Sequence, residues 1–137
     1  MKSIFTIADK YVYPSLRRLL VVRMRHKGAR PAEIARLLGL SRSLVTRYLK
    51  GERGSYVDFS IYPDVVKTLD HIADSVINNR IGVRDVVASL SALTLYVLAR
   101  KYVCKFHAEI DNIDPSTCNI CPRIFGGIDP RHILFYS

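Results

Sequence analysis

Between Val86 and Ala99 the chain runs for 14 residues without a charged side chain, with Ser89, Ser91 and Thr94 its aliphatic hydroxyl interruptions. A bilayer span needs about 20 apolar residues, so this run is too short to be a transmembrane helix. A helix that is apolar almost all round has to be enclosed by protein on every side. The whole chain has 137 residues, so few other elements are available to enclose it. The simplest cover is a second copy of the same helix. A monomeric bundle closed by the N-terminal part of the chain is the alternative. A chain of this length buries about two-thirds of its unfolded surface and needs no disulfide to fold. Its hydrophobic fraction of 49% and charged fraction of 24% exclude a disordered or low-complexity chain.

Charge divides the chain into two parts. Residues 1–55 carry 13 Lys and Arg against three acids (Asp9, Glu33 and Glu52), a net charge of +10. Residues 56–137 carry eight basic and nine acidic side chains, a net charge of −1. Solubility alone does not require such segregation. It points to a basic module at 1–55 that meets a polyanion, followed by a neutral region at 56–137 with another task.

Within the basic module, Tyr13-Pro14-Ser15 opens a helix, because Pro is accepted in a first turn where its missing N–H has no partner. Leu16, Leu19, Leu20 and Met24 follow at helical spacing, and the helix stops near Lys27-Gly28. A second helix starts at Pro31 and ends at Gly39; Ser41 then caps a third, running from about Arg42 to Lys50. The stretch from Pro31 to Gly51 (PAEIARLLGLSRSLVTRYLKG) resembles the helix-turn-helix of the lambda-repressor-like class. Each matching position has a physical job. Ala35 is small enough for the helices to cross closely, and Gly39 makes a turn that a β-carbon would obstruct. Ile34, Leu38, Leu40, Val45 and Leu49 fill the space between the helices.

That resemblance implies a third helix lying in a DNA major groove with its first residues facing base edges. Arg42, Ser43, Thr46 and Arg47 are then left facing outward. Arg42 is the expected base reader, since its guanidinium can grip guanine O6 and N7 together. Arg47, Lys50, Arg53, Arg30 and Arg36 are expected to hold phosphates, which supplies affinity but little sequence information. Tyr11-Val-Tyr-Pro-Ser-Leu-Arg-Arg-Leu-Leu and Ser43-Leu-Val-Thr-Arg-Tyr-Leu-Lys-Gly-Glu-Arg-Gly54 narrow the likeness. Over residues 9–54 the chain looks like archaeal predicted transcriptional regulators, some of which fuse a similar DNA-binding part to a thiamine-phosphate-synthase domain. The chain is too short to carry that enzyme domain. The resemblance implies a dimeric regulator bound to double-stranded DNA.

The rest of the chain reads as all-α: a linker over 54–61, an amphipathic helix over 63–78 and a longer helix over 83–106. These two helices are expected to form a two-fold dimer core. Cys104, His107, Cys118 and Cys121 follow a C-x2-H-x10-C-x2-C pattern, a composition of structural zinc sites. An iron–sulfur cluster on the three thiolates is the competing assignment, and buried free cysteines or one disulfide are the plain ones. A metal here would fasten the C-terminal segment or make it redox-sensitive.

No phosphate-binding glycine loop and no nucleophile paired with a base is visible, so an enzyme is not expected, and no small-molecule substrate is identified. An adaptor that uses its helix-turn-helix for protein contacts and its cysteines for metal or redox chemistry is the alternative function. Asp9 and Lys10 interrupt the N-terminus before a signal-peptide core can form, so the protein is expected in the cytoplasm, with no membrane partner. The closing run at 132–136 reads as a short strand or a docked tail.

Overall fold

A computed structural model describes residues 2–127, and among these every regular element is a helix. The elements are α1 (Ile4–Ile7), a π-helical turn (Ala8–Val12), α2 (Tyr13–His26), α3 (Pro31–Leu38) and α4 (Arg42–Leu49). After a 3-10 turn (Phe59–Ile61) come α5 (Pro63–Ile77), α6 (Val83–Ala99), α7 (Cys104–Asp111) and α8 (Ile120–Phe125). The closing run at 132–136 lies outside the described residues.

The first helix starts earlier than the proline suggested. α1, the π-helical turn and α2 follow one another without a break, so Pro14 sits inside a helical path. Proline has no N–H to return to the preceding turn. The chain absorbs this by widening into the π-helical turn just before it, a common resort where the i−4 ladder is broken. The Ser15 hydroxyl, almost fully buried, donates to the Tyr11 carbonyl at 2.7 Å and accepts the Val57 N–H at 3.2 Å. One side chain thereby satisfies the helix and fastens the segment after α4 onto it.

The expected boundary at 55/56 falls in a bend, and the core runs straight across it. Leu16, Leu20 and Met24 of α2 join Leu69, Ile72 and Val76 of α5 and Leu90, Leu93 and Val97 of α6 in one buried cluster. Arg23 of α2 clamps Asp70 of α5 through two hydrogen bonds of 2.7 and 3.0 Å. Most of the apolar surface of α6 is therefore enclosed by its own chain, chiefly α2, α5 and α8, rather than requiring a second copy.

The single helix expected over 83–106 is two helices, α6 and α7, that meet at 77°. Lys101 takes the left-handed conformation (φ 64°), which ends α6 in a two-bond cap: Lys101 N–H to Leu98 O at 3.0 Å and Tyr102 N–H to Val97 O at 3.1 Å. A lysine pays strain there that glycine would not. Tyr102 supplies the compensation. Its ring stacks on Tyr62 at 3.9 Å, and its hydroxyl donates to Asp64 at 2.8 Å, beside a second donation from Tyr96 at 2.7 Å. Both tyrosines, with Asp64 at the start of α5, tie the two ends of the α5–α6 pair together. Burial, then the hydrogen bond to Asp64, pushes the Tyr102 hydroxyl up to about 12. Among the described residues no single helix is long and apolar enough to cross a membrane.

Candidate nucleic-acid interface

α2, α3 and α4 form a three-helix unit whose geometry follows from a few residues. Pro31 occupies the first turn of α3 after an extended Arg30. Gly39 ends α3 in the left-handed conformation (φ 65°, ψ 33°), and the Leu40 N–H closes the turn on the Ala35 carbonyl at 2.9 Å. A Cβ at this φ is strained, which is why glycine stands there. Ser41 is extended and its hydroxyl accepts the Leu44 N–H at 3.1 Å, capping α4.

α4 buries Val45 and Tyr48 completely or nearly so, with Leu44 and Leu49 half-buried. Its tertiary contacts are with α2 and α3. Arg42, Ser43, Thr46, Arg47 and Lys50 are all exposed. The buried role of Tyr48 is not visible in the motif. Its phenol oxygen accepts a hydrogen bond from Arg17 Nε at 2.8 Å, and its carbonyl accepts one from Arg18 Nε at 3.1 Å. Two cations from α2 thus sit at the C-terminal end of α4, where the helix dipole is negative. Burial pushes the neighbouring Tyr13 hydroxyl up against the opposing pull of Arg17.

The exposed face of α4 is flanked by two open clefts. One is lined by Arg30, Pro31, Ala32, Arg36 and Arg42, with Glu33 among them. The other is lined by Lys10, Arg17, Leu44, Arg53 and Tyr56. The structure therefore brings Arg30, Arg36 and Arg42 together on one side and sets Arg53 on the other. Lys10 and Arg17, which sequence reasoning left out, stand beside Arg53. Their signal was their place in the +10 segment, but only the fold shows that the first helix returns to the edge of α4. Among the described residues the ion pairs join Arg23 to Asp70, Lys27 to Asp74 and His107 to Asp111. None of these consumes a cation of α4 or its clefts. The Thr46 hydroxyl donates to the Arg42 carbonyl at 3.0 Å, so it reaches outward only as an acceptor.

The cysteine residues arrange differently from the expected four-ligand set. Burial raises the Cys121 thiol to about 11, with smaller contributions from nearby Cys104 and Cys118, and burial likewise raises Cys104. His107 is turned elsewhere: its Nε2 lies 2.8 Å from Asp111 Oδ2, and that carboxylate also accepts the Lys2 N–H at 3.2 Å. The physical reason is local: His107 and Asp111 are i and i+4 on α7, so they share one face of that helix. Among the described residues no group of three or more His, Cys, Asp or Glu side chains is placed to hold a metal ion.

No curated protein and no solved structure matches the chain. The archaeal regulators and the thiamine-phosphate-synthase fusion have no counterpart among the comparisons. The match that is found covers the three helices just described: residues 14–56 match the model of the homeodomain-like domain, a helix-turn-helix type whose third helix in this chain is α4.

Proposed function

We propose that this protein is a sequence-specific transcriptional regulator that binds double-stranded DNA through α4. The observation that carries the reading is the face of α4: five polar side chains exposed, no acid among them, and a basic cleft on either side. A helix with side chains is about 10–12 Å across, which suits a major groove about 12 Å wide. With α4 in the groove, the two clefts face the two flanking backbones. Arg30 and Arg36 are then the phosphate contacts on one side, and Lys10, Arg17 and Arg53 those on the other. Arg42, in the first turn of α4, is the base reader.

Selection of bound duplexes from a random pool tests this, followed by titration of two variants on the selected site and on a scrambled one. Arg42→Ala is expected to lose about 1–3 kcal/mol on the selected site only. Lys50→Ala is expected to weaken both duplexes alike. A pool that yields no preferred sequence, or an Arg42→Ala loss equal on both duplexes, contradicts the reading.

The zinc or iron–sulfur centre at Cys104, His107, Cys118 and Cys121 is a separate proposal that rests on the C-x2-H-x10-C-x2-C spacing and requires His107 to leave Asp111. Metal analysis of protein purified without oxygen decides it. Bound zinc or iron sustains the proposal, and metal-free protein with three titratable thiols ends it.

A further inference from the structure

The cleft beside Arg53 is braced by a residue from the far half of the chain. Lys10 and Tyr56 both line that cleft. The Lys10 ammonium lies 5.4 Å from the centre of the Tyr11 ring. Tyr11 in turn meets Tyr56 edge to face, with ring centres 5.0 Å apart. Phe106 of α7 completes the group. Its ring is 5.2 Å from that of Tyr11, again edge to face, and 6.4 Å from that of Tyr56. Phe106 lines neither cleft. It also lies, with Lys10 and Tyr11, outside the matched segment 14–56.

We propose, resting on the DNA-binding reading above, that Phe106 is a positioning residue for DNA: it braces Tyr11 and Tyr56, and through them seats Lys10 for a backbone phosphate. The far end of α7 is fastened to the same stretch of chain, since Asp111 accepts the Lys2 N–H at 3.2 Å. The segment carrying Tyr56 is pinned next door, where the Val57 N–H donates to the Ser15 hydroxyl at 3.2 Å. Phe106 is thus held between two fixed points, and both rings it touches belong to the wall of the cleft or stand directly behind it.

The benefit is one of preorganisation. A free lysine side chain has to be ordered when it meets a phosphate, and that ordering opposes binding. A cation already resting over an aromatic ring has given up part of that freedom beforehand. Edge-to-face packing with centres about 4.5–7 Å apart is an arrangement that ring quadrupoles favour, so Phe106 and Tyr56 limit how far Tyr11 can tilt. The group is not simply core. Tyr56 is 48% exposed, and Tyr11 and Phe106 are half-buried. The other cleft has no aromatic side chain in its lining, so Arg30 and Arg36 have no such support. A brace acting on Lys10 alone is therefore separable from any general effect on the fold.

Fluorescence anisotropy of the full chain on the selected and the scrambled duplex tests this. Phe106→Leu keeps most of the volume and loses the ring edge. It is expected to weaken both duplexes about threefold, the scale of ordering one long side chain. In a Lys10→Ala background the same substitution should cost less than about half of that factor, whereas in an Arg30→Ala background it should cost all of it. Equal losses in the three backgrounds would assign Phe106 to stability alone and overturn the proposal, as would a Phe106→Leu protein that binds like the wild type. Coupling is reciprocal, so DNA should also steady α7. Hydrogen exchange of the wild type, read by mass spectrometry, is expected to slow in Cys104–Asp111 when duplex is added and to stay unchanged in Ile120–Phe125. That measurement needs no variant and decides the matter if Phe106→Leu fails to fold; a complex that forms with α7 exchange unaltered overturns the brace. A wild type that binds no duplex defeats the DNA reading and this proposal together, whereas normal binding with equal losses defeats this proposal alone.

Discussion

Gly54 joins the helix-turn-helix to the rest of the fold, and its replacement by alanine separates backbone strain from steric conflict. Its φ is +65°, and a Cβ built there would lie 2.6 Å from Pro14 O, 2.9 Å from Arg18 Cβ and 3.1 Å from Tyr48 Cε1. The nearest atom is a backbone oxygen of α2, which cannot swing aside as a side-chain tip can. The left-handed conformation costs an alanine about 1–2 kcal/mol. Forcing a methyl into a packed site adds about 1–3 kcal/mol. The expected loss is about 2–5 kcal/mol, a large share of the stability of a domain this size. At about 4 °C per kcal/mol for a chain of this length, Tm falls by about 8–20 °C. Gly28 is the control: its φ is +101°, yet a Cβ there meets nothing within 4 Å. Gly28→Ala therefore carries the backbone cost alone, with a Tm drop of about 4–8 °C. Differential scanning calorimetry of both variants is the assay. Equal drops would refute the argument that the close approach of α2 and Tyr48 makes Gly54 necessary.

Three further perturbations follow from the same reasoning. Ser89 is fully buried with its hydroxyl unpartnered, so Ser89→Ala is expected to raise stability by about 1 kcal/mol in urea titration; a loss would show that the hydroxyl has a partner. Tyr102 has its hydroxyl pushed from 10 to about 12 by burial and then by Asp64, so the fold keeps it protonated. Its contribution is complete below about pH 10 and lost as pH rises toward 12, and Tyr102→Phe should flatten the alkaline unfolding curve across that window. Glu33 places a carboxylate among Arg30, Arg36 and Arg42, so Glu33→Gln should tighten DNA binding about threefold to tenfold at low salt, measured by fluorescence anisotropy. Unchanged affinity would remove that cleft from the interface.

How much of this was legible in the sequence depends on the range over which each feature is decided. The turn at Gly39, the cap at Ser41 and the outward face of α4 are local: a left-handed glycine, a hydroxyl one turn from an N–H, and a period of 3.6. Arg42, Ser43, Thr46, Arg47 and Lys50 accordingly lie on the surface. Features decided by distant contacts were not legible. Lys10 and Arg17 line the cleft beside Arg53 only because the first helix folds back along α4. The break at Lys101 has no local marker, since lysine is a good helix residue, and is compensated by Tyr62 and Asp64 some 40 positions earlier. The cysteine pattern drew His107 into a ligand set, whereas on α7 it pairs with Asp111 four residues on. The run from Val86 to Ala99 was rightly read as needing cover, but α8 supplies part of it, and a six-residue helix leaves little signal in a sequence.

The central claim is that α4 and its two clefts meet the phosphates of a duplex, and the salt dependence of binding measures this most directly. Lys10, Arg17, Arg30, Arg36, Arg47, Lys50 and Arg53 supply seven phosphate contacts if all engage, and about 0.9 is expected in the slope for each. The logarithm of the association constant should then fall with the logarithm of salt at a slope of about −6, a loss of about four thousandfold between 50 and 200 mM. Removing Lys50 or Lys10 should bring the slope about one unit nearer zero. A slope near zero, or one that neither substitution changes, would contradict the account.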